Sequence, residues 1–142
     1  MVEVVKFQAS HVLRLKMQEK QHLELKDLPY EYYVSAQNLK HSYTIMIGEQ
    51  PYACVGVSPY WKNRGEVWAI IDREVGYFFL AIIRKMKELL AAVDLDRIEA
   101  TIEKDFKQGH RLAKLMGFEL EAETMRKYGE NGLDYSLYAR VK

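Results

Sequence analysis

The chain is poor in the residues that make covalent or metal-held structure. Cys54 is the single cysteine among 142 residues, so no intrachain disulfide forms and a reducing compartment is implied. It lies inside the apolar run YACVGV and reads as a small core residue rather than a reactive thiol. Four histidines, His11, His22, His41 and His110, are scattered without His-x-x-x-His or Cys-x-x-Cys spacing, so no metal is expected. Gly-x-Ser-x-Gly does not occur, which removes the nucleophile-elbow hydrolases. An excess of one charge is lacking too: 21 Lys and Arg against 20 Asp and Glu leave a net +1. That balance gives no broad field for nucleic acid or an anionic membrane. No apolar stretch approaches the ~20 residues that cross a bilayer. The N-terminus MVEVVKFQAS carries an early acid instead of a signal-like core, and a cytoplasmic protein is expected. There is no Pro/Gly/Ser-rich linker, low-complexity segment or repeat. What is present, 49% hydrophobic and 29% charged residues, suits one domain over residues 1–142, able to bury roughly 70% of its unfolded surface without staples.

Periodicity orders that domain. Val2 to Phe7 is a β-branched run and a first strand. Ser10 is placed to cap a helix through about Gln21, and Asp27 with Pro29 to start a second, Tyr30 to Leu39. YTIMI (43–47) and YACVGV (52–57), split by Gly and Pro, predict an antiparallel hairpin. SPYWKNRG (58–65) reads as a polar connection. EVWAII (66–71) follows as a strand, apolar at every position from Val67. Gly76 to about Val93 is the clearest helix: Phe78, Phe79, Ile82, Ile83, Met86, Leu89 and Leu90 form the dry side, and Arg84, Lys85, Lys87 and Glu88 the wet side. RIEATIE (97–103) alternates as a half-buried strand. A short helix, Lys107 to Met116, ends at Gly117, and a hairpin closes the chain, with Asn131-Gly132 favouring positive φ in its turn. The predicted order is β-α-α-β-β-β-α-β-α-β-β, a mixed α/β domain with a central βαβ unit.

REVGYF (73–78) stands between an apolar strand and a long helix, where unpaired amides and the positive end of a helix dipole favour an anion. Two readings of it are open, a phosphate site and a plain strand-to-helix turn. The strand-loop-helix EVWAIIDREVGYFFLAII, the Gly117-Phe118 pair after the short helix, and the closing hairpin RKYGENGLDY together resemble the GNAT N-acetyltransferase superfamily, most clearly from Tyr52 to Val141. Among its members the chain looks most like the small GNAT-like proteins of tailed phages and prophages. The resemblance implies a central mixed, mostly antiparallel sheet flanked by helices, acetyl-CoA as co-substrate and an amine as acceptor. It carries a cofactor loop of the form Gln/Arg-x-x-Gly-x-Gly/Ala onto Arg73, Glu74, Val75, Gly76, Tyr77 and Phe78. Arg73 and Gly76 match; Phe78 replaces a small residue, and its ring either turns into the core or obstructs the backbone. The backbone of Ala69, Ile70 and Ile71 is implied to hydrogen-bond the pantetheine arm.

The resemblance also shows departures. The short helix often carries Asn near its start and Tyr seven residues on, the tyrosine protonating the departing thiolate; Phe106 and Ala113 stand there. Phe106 keeps its place in the implied cofactor contact, but the usual acid is gone. Glu66, at the head of the cofactor strand, is the candidate base, with a solvated strand-end acid as the other reading. Tyr128 is the candidate acid and flanks the final turn with Tyr135; packing is the other reading for both. His110, Arg111 and Lys114 lie on the helix that would border CoA or are merely its surface. The expected activity is acetyl-CoA-dependent N-acyl transfer by direct attack on the thioester. The alternative is a catalytically inactive GNAT-fold protein serving as a phage interaction or virion-associated component. A homodimer, or a phage or host protein partner, is compatible with either; no membrane or nucleic-acid partner is expected.

Overall fold

A computed structural model describes all residues, Met1–Lys142. Seven strands form one sheet in the order β1-β2-β3-β4-β5-β7-β6. The strands are β1 (Val2–Lys6), β2 (His41–Ile47), β3 (Gln50–Trp61), β4 (Arg64–Ile71), β5 (Arg97–Glu103), β6 (Glu119–Met125) and β7 (Tyr135–Val141). The helices are α1 (Ala9–Val12), α2 (Glu19–Leu25), α3 (Tyr30–Ala36), α4 (Phe79–Ala91) and α5 (Lys107–Leu115), and a 3-10 turn, Gly76–Phe78, precedes α4. Pairing is antiparallel for β1 with β2, β2 with β3, β5 with β7 and β6 with β7, and parallel for β4 with β5. The expected mixed, mostly antiparallel sheet with flanking helices is what forms.

Contacts divide the chain into two compact units, Met1–Ser58 with Trp68–Val93, and Pro59–Val67 with Asp94–Lys142. In the first, Phe7, Val12, Leu15, Cys54 and Ile70 form a buried cluster edged by Met17, Leu25, Tyr33, Ala36 and Trp68. The Trp68 indole lies over Gly56, where a Cβ would collide with it. The Phe7 ring meets Trp68 edge-on at 5.1 Å. Burial pushes the Cys54 thiol up to about 12, so it is an inert core residue as expected. Helix α4 buries Ile82, Ile83, Met86 and Leu90, the stripe its periodicity predicts. In the second unit α5 lies against β5, burying Gly109 and Ala113. Gly109 is required there, since a Cβ would meet Ile102 and Phe106 at 2.8 Å.

Three segments differ from expectation. The helix expected from Ser10 to Gln21 is two helices, because Lys16 is held elsewhere: its N–H donates to Asp72 Oδ2 at 3.0 Å and its carbonyl accepts from Arg73 N–H at 2.8 Å. The cap of α1 is Gln8, not Ser10. The polar connection expected at Ser58–Gly65 is largely strand, β3 running to Trp61 and β4 starting at Arg64 with only Lys62 and Asn63 between. Sheet pairing there overrides a polar local composition. The last hairpin has a longer connection than its Asn-Gly pair suggests: Gly132 does take φ +79°, but Asp134 Oδ1 also accepts from Lys127 N–H at 2.8 Å and closes a wider turn.

Candidate active site

Asp72 directly follows β4 and organises the loop in the first unit. Buried, with its own N–H on Tyr52 O at 2.9 Å, it accepts from Lys16 N–H through Oδ2 and from Glu74 N–H through Oδ1 at 2.8 Å. Val75 N–H turns back onto Asp72 O, and Phe78 N–H onto Val75 O. The amides of Gly76 and Tyr77 are left without an acceptor. Gly76 sits at φ +53° with nothing within 4 Å of the position a Cβ would take. Only glycine holds that conformation without strain. The Phe78 ring rests on Tyr52, centroids 5.5 Å apart, and on Tyr77 at 4.5 Å. The ring is therefore turned onto Tyr52. Arg73 is exposed, and Glu74 pairs with Lys16 at 2.6 Å. The loop is thus an open turn offering two amides, an arrangement suited to an anion. Upstream on β4, Ile70 and Ile71 keep their side chains in the core. The Ala69 carbonyl accepts from Gln21 Nε2 at 2.7 Å, a contact no local pattern announces.

In the second unit, the parallel register Arg64↔Arg97, Gly65↔Ile98, Glu66↔Glu99 puts Arg64, Glu66, Arg97, Glu99 and Thr101 on one face, since strand side chains alternate. Arg64 grips Glu99 with Nε on Oε2 at 2.6 Å and Nη2 on Oε1 at 2.9 Å. Arg97 bridges Glu99, at 2.6 Å, and Glu121, at 3.0 and 2.5 Å. The Arg64 hydrogen bond chiefly holds the Glu99 carboxyl below the usual range. Glu66 behaves oppositely. It is half-buried and accepts from Thr101 Oγ1 at 3.0 Å and from the Tyr60 hydroxyl. Burial raises its carboxyl above the ordinary value in spite of those bonds. Burial, with Glu66 and Tyr128 nearby, also pushes the Tyr60 phenol up to about 12. Tyr128 packs against Tyr135, ring centroids 5.8 Å apart, and a carboxylate with a raised pKa is equipped to accept a proton.

Tyr60, like Gln21, is a residue that sequence reasoning missed. The run Tyr60-Trp61 is made of two strong strand formers, which was the available signal. Phe106 caps α5 and packs its ring by Gly109. Ala113 is buried and carries no proton. His110 is tied at both nitrogens, accepting from Tyr138 Oη at 2.8 Å through Nδ1 and donating from Nε2 to Lys104 O at 2.9 Å. It is a link within the unit rather than a free base.

No protein-family profile and no curated protein sequence matches the chain. Solved structures do. Ard1 from Thermoplasma volcanium superposes with a TM-score of 0.76 at 9% identity, covering 99% of this chain and 97% of its own. A GNAT-family acetyltransferase from Bacillus anthracis gives 0.70 at 18%, covering 99% and 94%. YncA from Salmonella typhimurium, solved with acetyl-CoA, gives 0.71 at 11%, covering 99% and 94%. At these identities the likeness is one of fold, and the fold is that of GNAT acetyltransferases.

Proposed function

We propose that the 142 residues act as one GNAT-like domain that transfers an acetyl group from acetyl-CoA to an amine. The observation that carries this reading is the loop at Gly76: an open left-handed glycine and two amides without acceptors, fixed by buried Asp72 between β4 and α4. Amides and helix dipole there suit the CoA pyrophosphate, and exposed Arg73 adds a cation. The backbone of Ala69 to Ile71 would take the pantetheine arm, Gln21 yielding or sharing the Ala69 carbonyl. Acetyl-CoA supplies an activated acyl carbon when bound. On the protein side, Glu66 takes a proton from the acceptor nitrogen, its raised pKa bringing it nearer neutral pH. Tyr128, packed against Tyr135, is the proton donor in this reading, standing in for the hydroxyl that Ala113 lacks.

Calorimetric titration with acetyl-CoA tests it. Binding by the wild-type protein is expected, weakened about tenfold or more by Gly76→Val, whose side chain strains the left-handed turn and fills the approach to the amides. No heat and no thermal shift at millimolar acetyl-CoA refutes cofactor binding. A second reading, a binding protein of this fold without catalysis, is favoured by the buried alanine at 113. Acetyl-CoA binding without amine-dependent release of free thiol across an amine panel is its expected outcome.

A further inference from the structure

Strand β4 is paired along only part of one side. Its parallel pairing with β5 spans Arg64 to Glu66 and goes no further. Successive strand residues direct their backbone groups to opposite neighbours. The Asp72 N–H goes to Tyr52 O on β3. Ala69, three residues earlier, therefore turns its carbonyl away from β3, where pairing with β5 has already stopped. A half-buried carbonyl in that place needs a donor. Gln21 supplies it, with Nε2 on Ala69 O at 2.7 Å.

The helix that carries Gln21 is held by little else. α2 has seven residues, too few to be stable alone in water. None is buried, its N-cap Gln18 makes no capping hydrogen bond, and only Gln21 and Leu25, one turn apart, are even half-buried. Gln18 Oε1 is buried without a partner, so this position of α2 leaves an acceptor unsatisfied. On its N-terminal side the chain is pinned at Lys16, whose N–H and carbonyl are held by Asp72 and Arg73. A short helix fixed at one end and fastened at its middle by one side-chain amide has the build of a hinged strap. The fastening is chemically particular. A glutamine carboxamide offers a carbonyl the same N–H donor as a secondary amide does, and the pantetheine arm of CoA is built on secondary amides.

We propose that Gln21 is an internal stand-in for the pantetheine arm. It occupies the Ala69 carbonyl in the free protein, holds α2 against β4, and gives way when acetyl-CoA enters, α2 turning about Lys16. The inference rests on the acetyl-CoA reading for the identity of the displacing group. Nothing covalent changes; one N–H···O bond replaces another. The cost of release falls on affinity, because a ligand that binds only the released form is weakened in proportion to how rarely that form is populated. Cofactor access is thereby set by α2 and not by the Gly76 loop alone. A ligand that has the phosphates but lacks the amide arm leaves Gln21 in place.

The test follows the Gln21 side-chain amide of the whole, isotope-labelled chain by NMR, beside calorimetric titration with acetyl-CoA. Gln21→Met keeps the length of the side chain and removes the donor, and it identifies the Gln21 signal by its loss. Saturating acetyl-CoA is expected to shift that signal and speed its hydrogen exchange, while ADP, which has a pyrophosphate and no arm, leaves it in place. Gln21→Met should bind acetyl-CoA roughly threefold to tenfold more tightly than wild type, the worth of one net hydrogen bond. Gln21→Ala, which removes the bulk as well, should gain at least as much. Binding by the variants alone supports the proposal in its strongest form. Equal or weaker binding by both variants overturns it, as does a Gln21 signal unmoved at saturation or moved as far by ADP. The wild-type isotherm separates the two failures. Heat from wild type with no gain in the variants sinks the latch and leaves acetyl-CoA binding standing, whereas no heat from any of the three proteins sinks both.

Discussion

Glu66 is held at a cost to the fold. Its carboxyl is raised above the ordinary 4.5 chiefly by burial, with Tyr60, Thr101, Arg64 and Glu99 around it. A group whose folded pKa is raised gives stability that is full below its unfolded pKa and lost as pH rises through the folded value. The ionised carboxylate therefore destabilises the protein at neutral pH. Glu66→Gln is expected to be as stable as wild type at pH 7 or more so, and to lose part of the decline in urea midpoint above pH 4.5. Glu99, lowered first by Arg64, has the opposite sign: its stability is present above the ordinary 4.5 and lost as pH falls through its folded value. Urea titrations of Glu66→Gln and Glu99→Gln across pH 3–8 should therefore diverge, the second variant being the less stable at neutral pH. A neutral-pH loss of stability in Glu66→Gln would show that the carboxylate is structural.

At the scale of elements, Asp72 decides more than any helix propensity does. One carboxylate fastens Lys16 and Glu74 through their amides, joining the end of α1's connection to the loop before α4. Asp72→Ala strands two partly buried N–H groups, at about 1–3 kcal/mol for each left unsatisfied. Chemical denaturation should show that loss, and acetyl-CoA affinity should fall with it because the Gly76 turn is no longer pinned. Elements differ in how far the sequence declares them. Helix α4 and strand β5 were plain because each carries a strict period with a dry face. The break between α1 and α2 was not, since the stretch from Ser10 to Gln21 keeps helical spacing and yields only to hydrogen bonds made with residues 72 and 73, far along the chain. The end of β3 was hidden for a related reason: Pro59, Lys62 and Asn63 look like a connection until the sheet pairs its backbone. Half of the candidate site was legible. Arg73, Gly76 and Glu66 follow from local motif and strand position. Tyr60 and Gln21 do not, because their roles exist only through contacts with residues distant in sequence.

For the whole molecule, the sheet order sets a gradient of protection. β1 pairs only with β2, and β6 only with β7, and both strands are mostly exposed. Native-state amide exchange should find the slowest amides in β2, β3, β5 and β7 and the fastest strand amides in β1 and β6. Uniform protection across all seven strands would mean that the edges are covered by something outside this chain.

The alternation along β4 has a consequence for how such a protein changes over generations. Arg64 and Glu66 share a face because they stand two positions apart, one full pleat, on β4. One residue added or lost within β4 reverses every strand side chain beyond it, turning carboxylate or core to the wrong side and shifting the glycine turn that follows. The longer connection at 126–134 has no such constraint. Lineages of this domain are thus expected to vary in length at that connection, while β4 keeps its count even where its letters drift. Variation would enter by lengthening that loop, and β4 would act as a ruler of fixed length.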